Sequence, residues 1–369
     1  MKPGAEDRGI LGAMSRWIAV ALACLAVAAG GPQERKNRPF YMGVGLMPHD
    51  LSVEGMAALF AFLNTNADLV PLSQDKGVPW PEALEKRAYS PEYEKKLTDD
   101  QEQFKERKLL LMATPLNGEK NGLAGYRGAA ENEPLEGAWR AKDFDDPAVS
   151  KAYFAYCSDL IRRFHPEFFG YALEVNQLAK NNPTRWKKFV PFATDLYGAL
   201  KKENPKLTIF VTLNGDTYLE DPGAQKKAVK EILAASDLVA VQTLPYIKEP
   251  VPSKLGRDFL AQFQALAPSK PFALATGFLA EDLSVIGIER VGKAAWQMEY
   301  LKFVFEECSK LNAKFVIWMI PRDLDLLVQK LGLLGEVAKP IRNTGLLDAQ
   351  GNPRKSMELW QTWFKLPRK

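Results

Sequence analysis

The feature that most constrains this chain is a set of eight short apolar runs, each stopping at turn-forming or polar residues. They are Phe40–Leu46, Ala67–Leu72, Lys108–Thr114, Phe168–Glu174, Leu207–Leu213, Leu238–Leu244, Pro271–Thr276 and Phe315–Ile320. Between them, apolar residues recur with helical period in Leu51–Leu63, Ala152–Phe164, Trp186–Lys202, Ala224–Ala235, Phe259–Leu266 and Trp296–Leu311. Unbroken apolar runs read as strands buried on both faces, and 3.6-residue periodicity reads as helices packed outside them. Eight such units, roughly 30 to 60 residues apart, predict an α/β fold, a closed (β/α)8 TIM barrel in one domain. An open doubly wound sheet fits less well, because Gly43-Val44-Gly45 lacks the third glycine of a dinucleotide fingerprint.

The first residues read as an address label. Arg16 precedes an apolar run from Trp17 to Ala29, and Ala26-Val27-Ala28 offers small residues for cleavage. Residues 1–29 are therefore expected to be a signal peptide, 30–37 a polar tether and 38–366 the barrel. The run is short for a membrane span, so no transmembrane segment is expected in the mature form. Leu22-Ala23-Cys24 resembles a bacterial lipobox, which leaves a lipid anchor at Cys24 open beside release. The expected location is exported: periplasmic, cell-surface or extracellular.

Composition narrows the function classes. The chain has 369 residues and a formal charge of only +4, with no basic block interleaved with aromatics. No nucleic-acid partner is expected. The histidines are His49 and His165, and no CxxC or HExxH motif occurs. Neither a histidine-rich metal site nor a Ser–His–Asp triad has much to draw on, and no metal and no cofactor are expected. Cys157 and Cys308 sit in helical patterns and read as buried free thiols. A monomer is expected.

The residues just past the strands carry the chemistry, because a barrel of this kind builds its site at the C-terminal rim. The fourth run ends in a carboxylate, Glu174, followed by Asn176. The second gives Asp75, with Trp80 nearby. The third gives Asn117 and Glu119, the fifth Asn214 and Asp216. Gln242 lies in the sixth, with Tyr246 after it. The seventh leads to Glu281, and the eighth holds Trp318 with Asp323 beyond it. Carboxylates and amides bond hydroxyls, and aromatic faces stack on pyranose rings, so the set suits a poly- or oligosaccharide. Each residue also has a plain alternative: Asp50 before Leu51-Ser52-Val53 reads equally as a helix cap, and Trp318 as core packing. The glycine-rich stretch from Pro115 to Asp146 follows the third strand and reads as either a lid or a loose excursion.

These motifs resemble the clan of retaining (β/α)8-barrel glycoside hydrolases, in particular its β-galactanase-type members. Gly170-Tyr-Ala-Leu-Glu174-Val-Asn176 resembles the clan's fourth strand, and Asp237 to Tyr246 its sixth. Phe315-Val-Ile-Trp318 resembles the eighth, and Thr344 to Lys355 with Trp360 the C-terminal run. The resemblance implies an acid/base role for Glu174, a sugar-stacking role for Trp318 and a β-linked glycan as substrate. Two departures stand out. Leu173 occupies the place of the asparagine before the acid/base. Thr276-Gly277-Phe278 keep the seventh strand's register, which puts Ala275 on the nucleophile's position; in the sixth strand, Leu244 replaces the usual tyrosine.

Retaining hydrolysis needs two carboxyl groups about 5–5.5 Å apart, and inversion about 6.5–9.5 Å. Alanine cannot attack an anomeric carbon. An active hydrolase would need another carboxylate, with Glu281 the first candidate and Asp323 or Asp216 behind it. A catalytically lapsed, glycan-binding barrel is the alternative, and a barrel whose function lies elsewhere a third.

Overall fold

The structure is a computed structural model that describes residues 37–285, 287–332 and 338–369. The expected signal segment, Cys24 and most of the tether lie outside the described residues. Eight parallel strands form the sheet: β1 (Tyr41–Val44), β2 (Val70–Gln74), β3 (Leu109–Ala113), β4 (Phe168–Ala172), β5 (Thr208–Asn214), β6 (Val239–Thr243), β7 (Phe272–Thr276) and β8 (Phe315–Trp318). Seven parallel pairings run from β2 through β3, β4, β5, β6, β7 and β8 to β1. The remaining seam is drawn together where Asp68 N and Leu69 N donate to Met42 O at 2.9 and 3.2 Å. The result is the expected (β/α)8 barrel, nearly closed.

Alternation along each strand divides the core in two. Tyr41, Leu110, Phe168, Phe210, Leu238, Ala240, Ala273, Phe315 and Ile317 pack in one cluster inside the cylinder. The intervening residues, Met42, Leu111, Phe169, Val239, Phe272, Leu274, Val316 and Trp318 among them, belong to the cluster shared with the helices. Phe168 meets Tyr41 edge-on at 5.7 Å and Phe315 at 5.2 Å, so aromatic rings plug the barrel. Such pairs add about 1 kcal/mol each beyond their buried area.

Local signals set the helix starts. Four helices open on a capping residue followed by proline: α2 (Pro91–Phe104) after Ser90, α3 (Pro147–Phe164) after Asp146, α4 (Pro183–Glu203) after Asn182 and α5 (Pro222–Ile232) after Asp221. Each cap's side-chain oxygen takes a free N–H of the first turn, and proline at the first position has no N–H to satisfy. The first helix, α1 (Val53–Asn66), is capped by Ser52, whose Oγ accepts from Gly55 N at 3.1 Å. Asp50, the alternative cap, instead pairs with Lys330 at 2.7 Å. Further along lie α6 (Ala261–Gln264), α7 (Ala294–Lys310) and α8 (Lys355–Phe364), with shorter helices such as Gly215–Glu220 and Asp325–Leu331 between the longer elements. Cys157 and Cys308 are buried free thiols. Among the described residues no helix is long and apolar enough to cross a membrane.

Candidate functional site

The C-terminal ends of the strands enclose a cavity of about 580 Å³. Its floor is apolar, with Leu110, Phe210 and Phe315 beneath it. The inward positions continue past the floor as Thr212 on β5, Gln242 on β6 and Ala275 on β7, and Asp75 and Glu174 follow β2 and β4. Ala275 stands in register with Gln242 on one side and Ile317 on the other, so the position the resemblance assigns to a nucleophile does face the cavity. A wider groove, about 1050 Å³, lies on the helical flank beside Tyr89, Phe154 and Arg163; none of the strand-end residues lines it.

Glu174 is held from two sides. Its backbone N donates to Thr212 Oγ1 at 2.8 Å, and its Oε1 accepts from Asn214 Nδ2 at 2.7 Å. Its φ is 54°, in the left-handed region, and Lys120 on the loop after β3 has φ 51°. Among the described residues six non-glycine residues take positive φ. Lys86 and His165 cap helix ends, and Asn132 and Asn312 are asparagines, which tolerate the region. Glu174 and Lys120 have neither excuse, and both line the cavity. Such a conformation costs about 1–3 kcal/mol and persists where surrounding contacts impose it.

For Lys120 those contacts are visible. Asn117 Oδ1 accepts from Asn121 N at 3.0 Å and Lys120 N donates to Asn117 O at 3.1 Å, closing a tight turn. Asn181 and Asn182 donate to the carbonyls of Glu119 and Asn121 at 2.8 and 3.1 Å, clamping the turn to the segment after β4. Burial pushes the Lys120 ammonium below the usual lysine range; the carboxylates of Glu174 and Asp75 oppose this and Lys76 adds to it. The long stretch that carries Lys120 is ordered, with bridges Leu116–Leu123, Val78–Tyr126 and Tyr126–Glu133.

The other residues nominated from sequence are placed as follows. Asn176 is fully buried; it donates to Asn214 O and Gln225 Oε1 at 3.0 and 3.1 Å and accepts from Asn214 N at 2.7 Å, so it holds Asn214 rather than facing the cavity. Asp216 accepts from Thr243 Oγ1 at 2.7 Å and Leu244 N at 2.8 Å, and burial pushes its carboxyl above the usual range. Tyr246 is buried with its hydroxyl on Pro340 O at 2.8 Å. Trp318 points out of the barrel, its Nε1 donating to Thr344 O at 2.7 Å. Trp80 donates to Ala124 O at 3.0 Å and stacks on Trp139. Glu281 and Asp323 both bind the Arg354 guanidinium, Asp323 at 2.7 Å, and neither lines the cavity.

The structure therefore brings Asp75, Glu174 and Gln242 to one cavity with Asn214 on Glu174, and buries Trp80, Tyr246 and Trp318 away from it. Lys120, Met47 and Met319 line the same cavity and were not anticipated. Among the described residues no cluster of histidine, cysteine and carboxylates could hold a metal ion. What lines the cavity can bond hydroxyls: the carboxylates of Asp75 and Glu174, the Lys120 ammonium and the Gln242 amide above an apolar floor, with Asn214 holding Glu174 from behind.

Solved structures with the same architecture are numerous. An exo-β-1,4-mannosidase from Opitutaceae bacterium strain TAV5 superposes with TM-score 0.59 at 17% identity, over 88% of this chain and 59% of that one. The architecture the two share is the (β/α)8 barrel. A GH5_18 protein from Streptomyces cattleya, solved in complex with Manβ1-4GlcNAc, gives TM-score 0.58 at 14% identity, over 89% and 83% of the two chains. Fungal β-1,4-galactanases give 0.55 at 13% identity, over 87% and 98%. This chain thus spans about three-fifths of the length of the mannosidase. No family model matches the sequence, and no curated protein matches it.

Proposed function

We propose that the chain is an exported, monomeric glycan-binding barrel, related in fold to glycoside hydrolases, that holds the end of a β-linked poly- or oligosaccharide without cleaving it. The observation that carries this reading is the pairing of a positioned Glu174 with Ala275 across one cavity, while Glu281 is drawn to Arg354. A covalent mechanism has no nucleophile there, and loss of the attacking group removes both the bond partner and the counter-charge of an oxocarbenium-like transition state. Lys120 works in the same direction, because a cation beside Glu174 opposes positive charge developing on a sugar ring. In this reading Glu174, Asp75 and Gln242 accept from and donate to sugar hydroxyls, and Asn214 fixes the Glu174 carboxylate.

A second reading, hydrolysis with Glu174 as proton donor and Asp75 as base, is favoured by one fact: both carboxylates line the same cavity. A glycan array followed by calorimetry on the parent and Glu174→Gln chains tests the first. The expected result is a β-linked hit whose affinity falls about tenfold in the variant, as for loss of one charge-assisted hydrogen bond. An array without hits would remove the glycan reading.

A further inference from the structure

The cavity has two unlike walls. Asp75, Lys120 and Glu174 line the β2–β4 side. Leu46, Met47 and Met319, from the ends of β1 and β8, line the other. Among the described residues no tryptophan or tyrosine lines it, so the apolar wall there is flexible thioether and aliphatic surface rather than a flat ring.

That wall does not stop at the cavity. Met47 and Met319 pack against a small apolar cluster containing Leu324, Leu327 and Val328. Leu327 and Val328 are the buried residues of the helix Asp325–Leu331. On that helix Leu326 and Lys330 share a face, four residues apart. Lys330 bonds Asp50 at 2.7 Å, which ties that helix to the segment that carries Leu51. Leu51, Val53, Met56 and Leu326 are the large apolar side chains left exposed here, Val53 at 81% and Leu51 at 60%. Exposed apolar residues scattered singly need no explanation; these four lie on the two segments that the Lys330–Asp50 bond joins, and Met47 and Met319 pack against the buried side of the same helix.

We propose that the ligand is an amphiphilic glycan: a saccharide whose head lies against Glu174, Asp75 and Lys120, and whose acyl or alkyl chain leaves over Met47 and Met319 towards Leu51 and Leu326. The inference rests on the glycan reading of the cavity and adds the class of aglycone.

The test is calorimetry on the full chain with methyl, hexyl and octyl β-glycosides of glucose, galactose and mannose, each below its micelle concentration. Every methylene buried on the wall should tighten binding by up to about fourfold. At least one hexyl glycoside is expected to bind ten times tighter than its methyl partner. Leu51→Asp with Leu326→Asp, both at exposed positions, should erase that advantage and leave the methyl glycoside unchanged. Equal affinities for methyl and hexyl glycosides would overturn the amphiphile and leave the glycan reading standing. If 1-hexanol binds as tightly as the hexyl glycoside, the sugar head contributes nothing and both readings fail. Co-sedimentation with phosphatidylcholine vesicles that carry no sugar would contradict the assignment in favour of a bilayer surface.

Discussion

The side-chain amide of Asn214 joins two structures: its Nδ2 donates to Glu174 Oε1 at 2.7 Å while its Oδ1 accepts from Thr217 N at 2.7 Å. One end fixes the acid at the cavity, and the other caps the helix Gly215–Glu220. Asn214→Ala should lose both: about 1 kcal/mol of stability, a fall in Tm of roughly 2 °C, and about tenfold in ligand affinity. Asn214→Asp keeps the cap but not the donor. Thermal melts should recover in that variant while affinity stays low; recovery of both would show that Asn214 serves only the helix.

Ala275 occupies the position that the resemblance assigns to a nucleophile, and one substitution puts a carboxylate there. Ala275→Glu places a carboxylate on the inward face of β7, in register with Gln242. Hydrolysis of an aryl β-glycoside should then rise above the parent's background, with retention of configuration seen by NMR. A variant that folds, binds and shows no turnover would mean that Glu174 lies outside the reach a double displacement requires.

Lys120 is expected to influence binding and stability in opposite senses. Because burial lowers its folded-state value below 10.5, the native state holds this proton less tightly than the unfolded chain. The resulting cost to stability is complete below the native value and fades as pH rises towards 10.5. Lys120→Met should therefore be at least as stable as the parent at pH 7, with its advantage shrinking in alkali, yet bind ligand more weakly. Denaturant titrations from pH 7 to pH 10 read the first effect and calorimetry the second. A variant that is destabilised at pH 7 would make Lys120 a structural residue.

Trp318 separates packing from binding. Its ring is fully buried against the helices and its Nε1 is committed to Thr344 O. Trp318→Phe should cost about 1–3 kcal/mol of stability and leave glycan affinity unchanged. A loss of affinity without a loss of stability would bring Trp318 back to the ligand.

The barrel was legible in the sequence because strands buried on both faces leave unbroken apolar runs, and each of the eight runs overlaps a strand, β2 and β5 extending past theirs to Gln74 and Asn214. The helix Pro91–Phe104 was not, since its buried residues reduce to Tyr93, Leu97 and Phe104, too thin a stripe against eleven other positions. The aromatic candidates illustrate a signal that was present. In Phe315-Val-Ile-Trp318 a two-residue period with Phe315 and Ile317 inside the cylinder must turn Trp318 outward. The same alternation puts Ala275 and Gln242 inside. Lys120 left no such trace, because its place depends on a turn closed by Asn117 and clamped by Asn181 and Asn182 from a segment sixty residues away.

Binding without cleavage is decided by product release from an aryl β-glycoside panel, parent beside Glu174→Gln, with binding of the array's best ligand confirmed in the same preparation. A bound ligand and the same background rate for both proteins are expected. Turnover by the parent that Glu174→Gln abolishes would contradict binding without cleavage and make this barrel a hydrolase.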